Sequence, residues 1–148
     1  MKLTRYTDYA LRVLMHLAAQ PGQLSSIAGI ARSYGISHNH LMKVVHDLRK
    51  HGYVAAVRGR SGGIRLGRPA DEINIGEVVR HTEEGFDLVN CGACIIAPAC
   101  GLTGVLGQAL TAFMHVLDGY TLADLVADRS EALLASFGVP LARSQPSV

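Results

Sequence analysis

The chain has 148 residues, 49% of them apolar, and a formal net charge of +2. That length suits one domain, or a small domain with an oligomerisation element, and its apolar residues are interrupted too often for a membrane span. Charge is divided unevenly: residues 1–70 carry eleven Lys or Arg against Asp8 and Asp47, net +9, while residues 71–148 carry three against ten acids, net −7. A basic first half and an acidic remainder point to a nucleic-acid-facing surface on the first half alone.

Tyr6, Tyr9, Ala10, Val13, Leu14 and Leu17 recur at helical spacing, and Pro21-Gly22 ends the run. A second helix starts at Ser25 or Ser26, turns Ile27, Ile30, Ala31 and Tyr34 inward, and stops at Gly35, where a left-handed residue is needed. Ser37 is expected to cap a third helix with Leu41, Val44, Val45 and Leu48 inward and Gly52 beyond its end. Two short helices around a tight Gly-containing turn form the helix-turn-helix pattern. At about 100° per residue, Asn39, Lys43, His46 and Lys50 lie opposite the inner stripe, with His38 and His40 at the helix start. Amino-terminal residues of such a helix enter the major groove, where asparagine pairs with adenine and lysine reaches guanine or a phosphate. Taken alone, the same face also fits an ordinary solvated helix.

The following segment changes that balance. Tyr53 to Val57 and Ile64-Arg65-Leu66 read as strands joined by a glycine-loosened basic turn. A hairpin after a recognition helix is a wing: its glycines let the backbone approach the sugar–phosphate surface, and its arginines suit the electronegative minor groove. The expected DNA-contacting set is therefore His38, Asn39, His40, Lys43 and His46 on the helix, with Arg58, Gly59, Arg60, Ser61, Gly62 and Gly63 in the wing.

Asn74 and Glu77 have the spacing of a capping box for a short helix from Gly76 to about Glu83. Leu102, Val105, Leu106, Ala109, Leu110, Phe113, Val116 and Leu117 then form a wide apolar stripe. A helix that apolar has little left in its own chain to bury against, so a symmetric homodimer is expected, with packing onto its own winged helix as the alternative. Gly119-Tyr120 breaks the helix and Thr121 restarts one with Leu122, Leu125 and Val126.

Cys91, Cys94 and Cys100 are all the cysteines of the chain. An odd number of thiols within ten residues cannot build a disulfide framework. No apolar leader opens the sequence, so a reducing cytoplasm is expected, where clustered thiols hold metal or sense redox chemistry. Iron–sulfur clusters, tetrahedral zinc and a bare thiol switch all draw on such donors. The loop offers three ligands; His81 and His115 are the nearest histidines in sequence. A site short of one protein thiolate is more reactive than a closed one, which suits a sensor. No second acid/base constellation and no nucleotide-phosphate loop accompanies it, so no catalytic residues are expected.

From Met1 to about Val126 the chain resembles the family of dimeric winged-helix transcription regulators that carry iron–sulfur clusters. The resemblance rests on Leu3-Thr4-Arg5-Tyr6-Thr7-Asp8-Tyr9-Ala10-Leu11-Arg12 at the start and on Val57-Arg58-Gly59-Arg60-Ser61-Gly62-Gly63-Ile64-Arg65-Leu66-Gly67 in the wing. Leu88-Val89-Asn90-Cys91, Pro98-Ala99-Cys100 and Tyr120-Thr121-Leu122-Ala123-Asp124-Leu125-Val126 look like the nitric-oxide-sensing repressors within it. It implies Cys91, Cys94 and Cys100 as ligands of an iron–sulfur cluster, 2Fe–2S or 4Fe–4S. It also implies Asp8 of the other subunit as a fourth ligand, whereas a histidine shortly after the last cysteine, the alternative in the family, is replaced by Gly101-Leu102-Thr103. An acid in a helix's first turn has a second role, favouring the helix dipole by about 0.3–1 kcal/mol without any ligand. The family places more than the two residues found here between its first and second cysteines, so Cys91 and Cys100 carry the assignment more than Cys94 does.

The expected architecture is mainly α with a small β-hairpin wing. It divides into a winged helix-turn-helix over 1–80, a hinge and cysteine loop over 81–101, a dimerisation helix and C-terminal helix over 102–138, and a flexible tail over 139–148. The expected function is repression of nitrosative-stress genes through double-stranded operator DNA, with nitric oxide as signal. A redox- or iron-responsive regulator of the same fold, or a zinc-stabilised one, stays open at this point.

Overall fold

Thr4 starts the first helix, α1 (Arg5–Ala18), its hydroxyl accepting from the Thr7 amide at 3.3 Å. The computed structural model describes residues 2–138. Ala10, Val13 and Leu14 are wholly buried in α1, which packs against the third, fourth and sixth helices and forms the centre of the core. α2 (Ile27–Tyr34) begins at Ser26, whose hydroxyl accepts from the Gly29 amide at 3.0 Å. Gly35 ends it at φ +64°, the left-handed cap expected there. α3 (His38–Lys50) buries Leu41, Val44, Val45 and Leu48 as its period requires. Ser37 stands at the cap position but makes no side-chain cap bond, so this helix start is held by packing rather than by the expected hydroxyl.

β1 (Val54–Val57) and β2 (Gly63–Leu66) pair antiparallel, with Val54 opposite Leu66 and Val57 opposite Gly63. Ser25 bridges the other edge of β2: the Ile64 amide donates to its carbonyl at 2.8 Å and the Ser25 amide donates back at 3.0 Å. That bridge fixes the hairpin to the start of α2. Among the described residues, the fold is thus mainly helical around one small hairpin.

α4 (Ile75–Thr82) is capped by Asn74, whose Oδ1 accepts from the Glu77 amide at 3.0 Å. The reciprocal bond of the expected capping box is not made. The side-chain amide of Asn74 donates to the Asp118 carbonyl at 2.8 Å, tying α4 to the end of α5 (Leu102–Asp118). A complete capping box occurs later: Thr121 and Asp124 exchange bonds at the start of α6 (Leu122–Val126). The short α7 (Ser130–Ser136) follows Asp128, which adopts φ +56°, and has no counterpart in the sequence reading. The tail expected over 139–148 lies outside the described residues.

The apolar stripe of α5 resolves into two faces. Leu110, Phe113, Met114 and Leu117 pack onto the chain's own core, against α4 in particular. Leu102, Val105, Ala109, Ala112 and Val116 lie on the far side and are exposed. The expectation that this helix has little of its own chain to bury against therefore holds for one face only. Among the described residues, no helix is long and apolar enough to cross a membrane.

Candidate nucleic-acid interface and cysteine centre

The inward stripe of α3 leaves His38, Asn39, His40, Lys43 and His46 all exposed on the other side. His40 is not free to swing, because its ring packs edge-on against Tyr9 of α1 with centroids 5.2 Å apart. The wing tip exposes Arg58, Gly59, Arg60 and Ser61, while Gly62 and Gly63 are half-buried beneath it. Three of these glycines are required by the backbone. Gly59 sits at φ +117°, and a Cβ would collide with the Val57 carbonyl at Gly62 and with the Ser25 carbonyl at Gly63. The turn is closed by the Gly62 amide donating to the Gly59 carbonyl at 3.0 Å. One basic, glycine-tight tip and one polar helix face are thus anchored to the same core through Ile64 and the α3 stripe.

The cysteines follow α4 on a segment without long helix or strand. Asn90 Oδ1 accepts from the Gly92 amide at 3.2 Å, Cys94 donates to the Cys91 carbonyl at 3.2 Å, and a 3-10 turn over Ala97–Ala99 leads to Cys100. All three thiols are free, Cys94 exposed and Cys91 and Cys100 half-buried. Cys91 lines a cleft of about 660 Å³ between the segment after α4 and the first half of α5, with Phe86, Leu88, Leu106 and Leu110 as its apolar walls. Its Sγ is 3.7 Å from Thr103 Oγ1. Cys94 and Cys100 do not line that cleft. Three reduced, reachable soft donors on one short segment fit an iron–sulfur cluster, in which different thiolates hold different irons and need not meet at one point.

Asp8 lies on the first turn of α1 and is half-exposed. Arg12 Nε donates to its Oδ1 at 2.9 Å. Such an exposed i,i+4 pair is worth about 0.3–0.5 kcal/mol, so it is easily given up for a stronger partner. His81 and His115 do not approach the loop as ligands in the described chain: His81 packs on His51, and His115 is exposed on α5. α4, which precedes the loop, packs against both α1 and α5. Arg80 grips the Asp118 carboxylate with two bonds of 2.6 and 2.7 Å, and Glu83 Oε1 accepts from the Thr4 amide at 2.8 Å, joining α4 to α5 and to the start of α1.

A family described as Rrf2, an iron-dependent transcriptional regulator, matches residues 3–128. The chain belongs to the Rrf2 family. It is 55% identical over 139 residues to the HTH-type transcriptional regulator NsrR of Bacillus subtilis (strain 168), covering 90% of this chain and 95% of that one. Among solved structures, T. potens IscR superposes with a TM-score of 0.73 at 28% identity, covering 89% of this chain and 90% of its own. CymR, described as the global cysteine regulator of B. subtilis, superposes at 0.69 with 29% identity, covering 86% and 98% respectively. As an Rrf2 protein this chain is a transcriptional regulator of the winged-helix type and not an enzyme.

The Rrf2 fold also assembles residues that the sequence reading did not join. Met42, 47% exposed, stands on the outward side of α3 next to Lys43. Asp47 and His51 of α3 meet His81 of α4, a juxtaposition of residues 34 positions apart that no local period reveals.

Proposed function

We propose that this regulator is a homodimeric repressor of nitrosative-stress genes whose cysteine loop holds an iron–sulfur cluster and whose hold on operator DNA is released by nitric oxide. The observation that carries the reading is the trio of free thiols, one of them on a cleft walled by α5, immediately after the helix that clamps α1 and α5 together. Cys91, Cys94 and Cys100 would hold the cluster, with Asp8 of a second copy as the fourth donor once Arg12 releases it. Bound there, the cluster supplies iron that reacts with nitric oxide. The chain does the rest: Cys91 abuts Thr103 on the first turn of α5, and the segment through Phe86 leads back to α4. A change in how the loop is held would therefore act on the start of α5 and, through the segment containing Phe86, on the end of α4.

On the DNA side, Asn39 and Lys43 would read base edges while Arg58 and Arg60 hold the backbone or minor groove. Two such heads bind half-sites about 34–36 Å apart only if their spacing is kept. The deciding measurement is operator affinity of anaerobically loaded protein before and after nitric oxide. The expected loss is about 5- to 150-fold, the span of ordinary allosteric coupling, and it should vanish in the Cys91→Ser and Cys100→Ser variants. Metal-free dimer that binds the operator as tightly as loaded dimer, and ignores nitric oxide, overturns the reading. The family's description as iron-dependent favours one further reading, in which iron supply is the signal. Iron depletion under strict exclusion of nitric oxide separates the two.

A further inference from the structure

Away from the cysteines, Asp47, His51 and His81 place one carboxylate and two imidazoles with their ligand atoms all within 4.8 Å of one another. His51 Nδ1 is 3.5 Å from Asp47 Oδ1, and His81 Nε2 is 3.3 Å from Asp47 Oδ2. Zinc bound tetrahedrally at about 2.0–2.2 Å to nitrogen and oxygen sets its ligand atoms about 3.3–3.6 Å apart. Both separations have that spacing. They run to different carboxylate oxygens, so an ion would be held through both oxygens, or through one after a turn about the broad terminal torsion of Asp47. The two imidazoles already stand side by side, their centroids 3.5 Å apart, and would swing apart to aim at one ion.

Two further observations point the same way. His81 Nε2 is buried and makes no hydrogen bond, although Asp47 is near. A dry, unpaired ring nitrogen is rare in folded proteins, and a cation beside it would use the lone pair. The trio also sits where two helices end: Asp47 is in the last turn of α3, His51 is its C-cap, and His81 is in the last turn of α4. Both carbonyl-rich ends favour positive charge.

We propose that Asp47, His51 and His81 form a binding site for a divalent first-row transition cation of the zinc type, with water completing the shell. The side chains are 30%, 41% and 26% exposed, which leaves the remaining position open to solvent. In the metal-free chain His51 Nδ1 lies 3.0 Å from the Asp47 carbonyl and donates its proton there. Binding moves that proton from Nδ1 to Nε2 by way of solvent, leaving the Nδ1 lone pair for the ion. The ion cross-links the end of the recognition helix to the helix that precedes the cysteine loop, giving the regulator a metal input separate from its thiols. The site does not depend on what the cysteines hold.

The test uses the full chain carrying C91S, C94S and C100S, so that zinc cannot bind the loop. Calorimetric titration with zinc chloride should give one ion per chain with micromolar or tighter affinity. Cobalt should give visible d–d bands without a thiolate charge-transfer band. His81→Gln and His51→Gln should each weaken zinc binding at least tenfold, with circular dichroism of the metal-free proteins confirming the fold. Should His81→Gln fail to fold, the more exposed His51 carries the test by itself. No zinc binding to the cysteine-free chain, or binding unchanged in a folded glutamine variant, overturns the site.

Discussion

His16 occupies α1 with 4% of its surface exposed, and nothing in the spacing of the sequence marks it. Gln20 Nε2 lies 3.0 Å from His16 Nε2, and an amide nitrogen can only donate, so that ring nitrogen accepts. Nδ1 is buried with no partner, and Phe137 and Tyr34 close the ring in. Burial lowers the His16 pKa from its ordinary value, because a charged ring there would be dry. The sign follows from linkage. The unfolded chain takes up the proton first, so the stability tied to neutral His16 is complete above about pH 6.5 and is lost as pH falls below it. Unfolding free energy should therefore decline with acid over that window more steeply in the natural chain than in His16→Gln. The slope difference can reach one proton, about 1.4 kcal/mol per pH unit. Equal slopes in denaturant titrations at pH 5 to 7 would show that His16 is not the group responsible. Single residues were legible in the sequence where the backbone itself makes a demand, as at Gly35 and Gly52 with φ +64° and +76°. They were not legible where burial makes it, as at His16, because burial is a property of the assembled fold.

Between elements, the junction of α4 and α5 is the part a sensor needs to be mechanical. Arg80 and Asp118 form a two-bond clamp, and Gly76 lies so close beneath that a Cβ there would collide with the Asp118 carboxylate. The Arg80 guanidinium holds the Asp118 carboxyl below the usual carboxylate range. A depressed carboxylate contributes stability that is complete above its unfolded value of about 4 and disappears as pH falls through the folded one. Asp118→Asn should accordingly lower Tm at neutral pH, and the gap to the natural chain should close toward pH 3. A gap that stays constant through acid would mean that the clamp's charge is not what joins the helices. Gly76→Ala should loosen the same junction with no such pH signature. The helices themselves were legible because Ser26, Asn74 and Thr121 accept from the amides that open them. Two details were not: the Asn74–Glu77 box is only half made, the Glu77 side chain not reaching back to the Asn74 backbone amide, and α7 lacks any side-chain cap to announce it. The cysteine loop was readable from its thiols alone, while the Asp47–His51–His81 cluster required α3 and α4 to be brought together.

At the scale of the whole molecule, the uneven charge and the two faces of α5 belong to one design. The basic first half supplies a surface for DNA, and the acidic second half, which repels it, carries the helix with an unburied apolar stripe. Val105, Ala109, Ala112 and Val116 fall within about 60° of one another on the helical projection, about 120° round from the face that packs on the core. Val105 and Val116 are 61% and 60% exposed, too much apolar surface on one stripe for a helix whose other side is already buried. In the proposed homodimer a two-fold partner covers the stripe with its own copy, so any substitution there enters the interface twice. Val105→Glu would set two carboxylates against each other without touching the core of either protomer. Light scattering should find Val105→Glu as a monomer at concentrations where the natural chain is a dimer. Affinity for a two-half-site operator should fall at least tenfold, because two linked heads gain from effective concentration what one head cannot. Binding to an isolated half-site should be unchanged, since α3 and the wing are untouched. A Val105→Glu dimer of natural affinity would place the two-fold contact on some other surface.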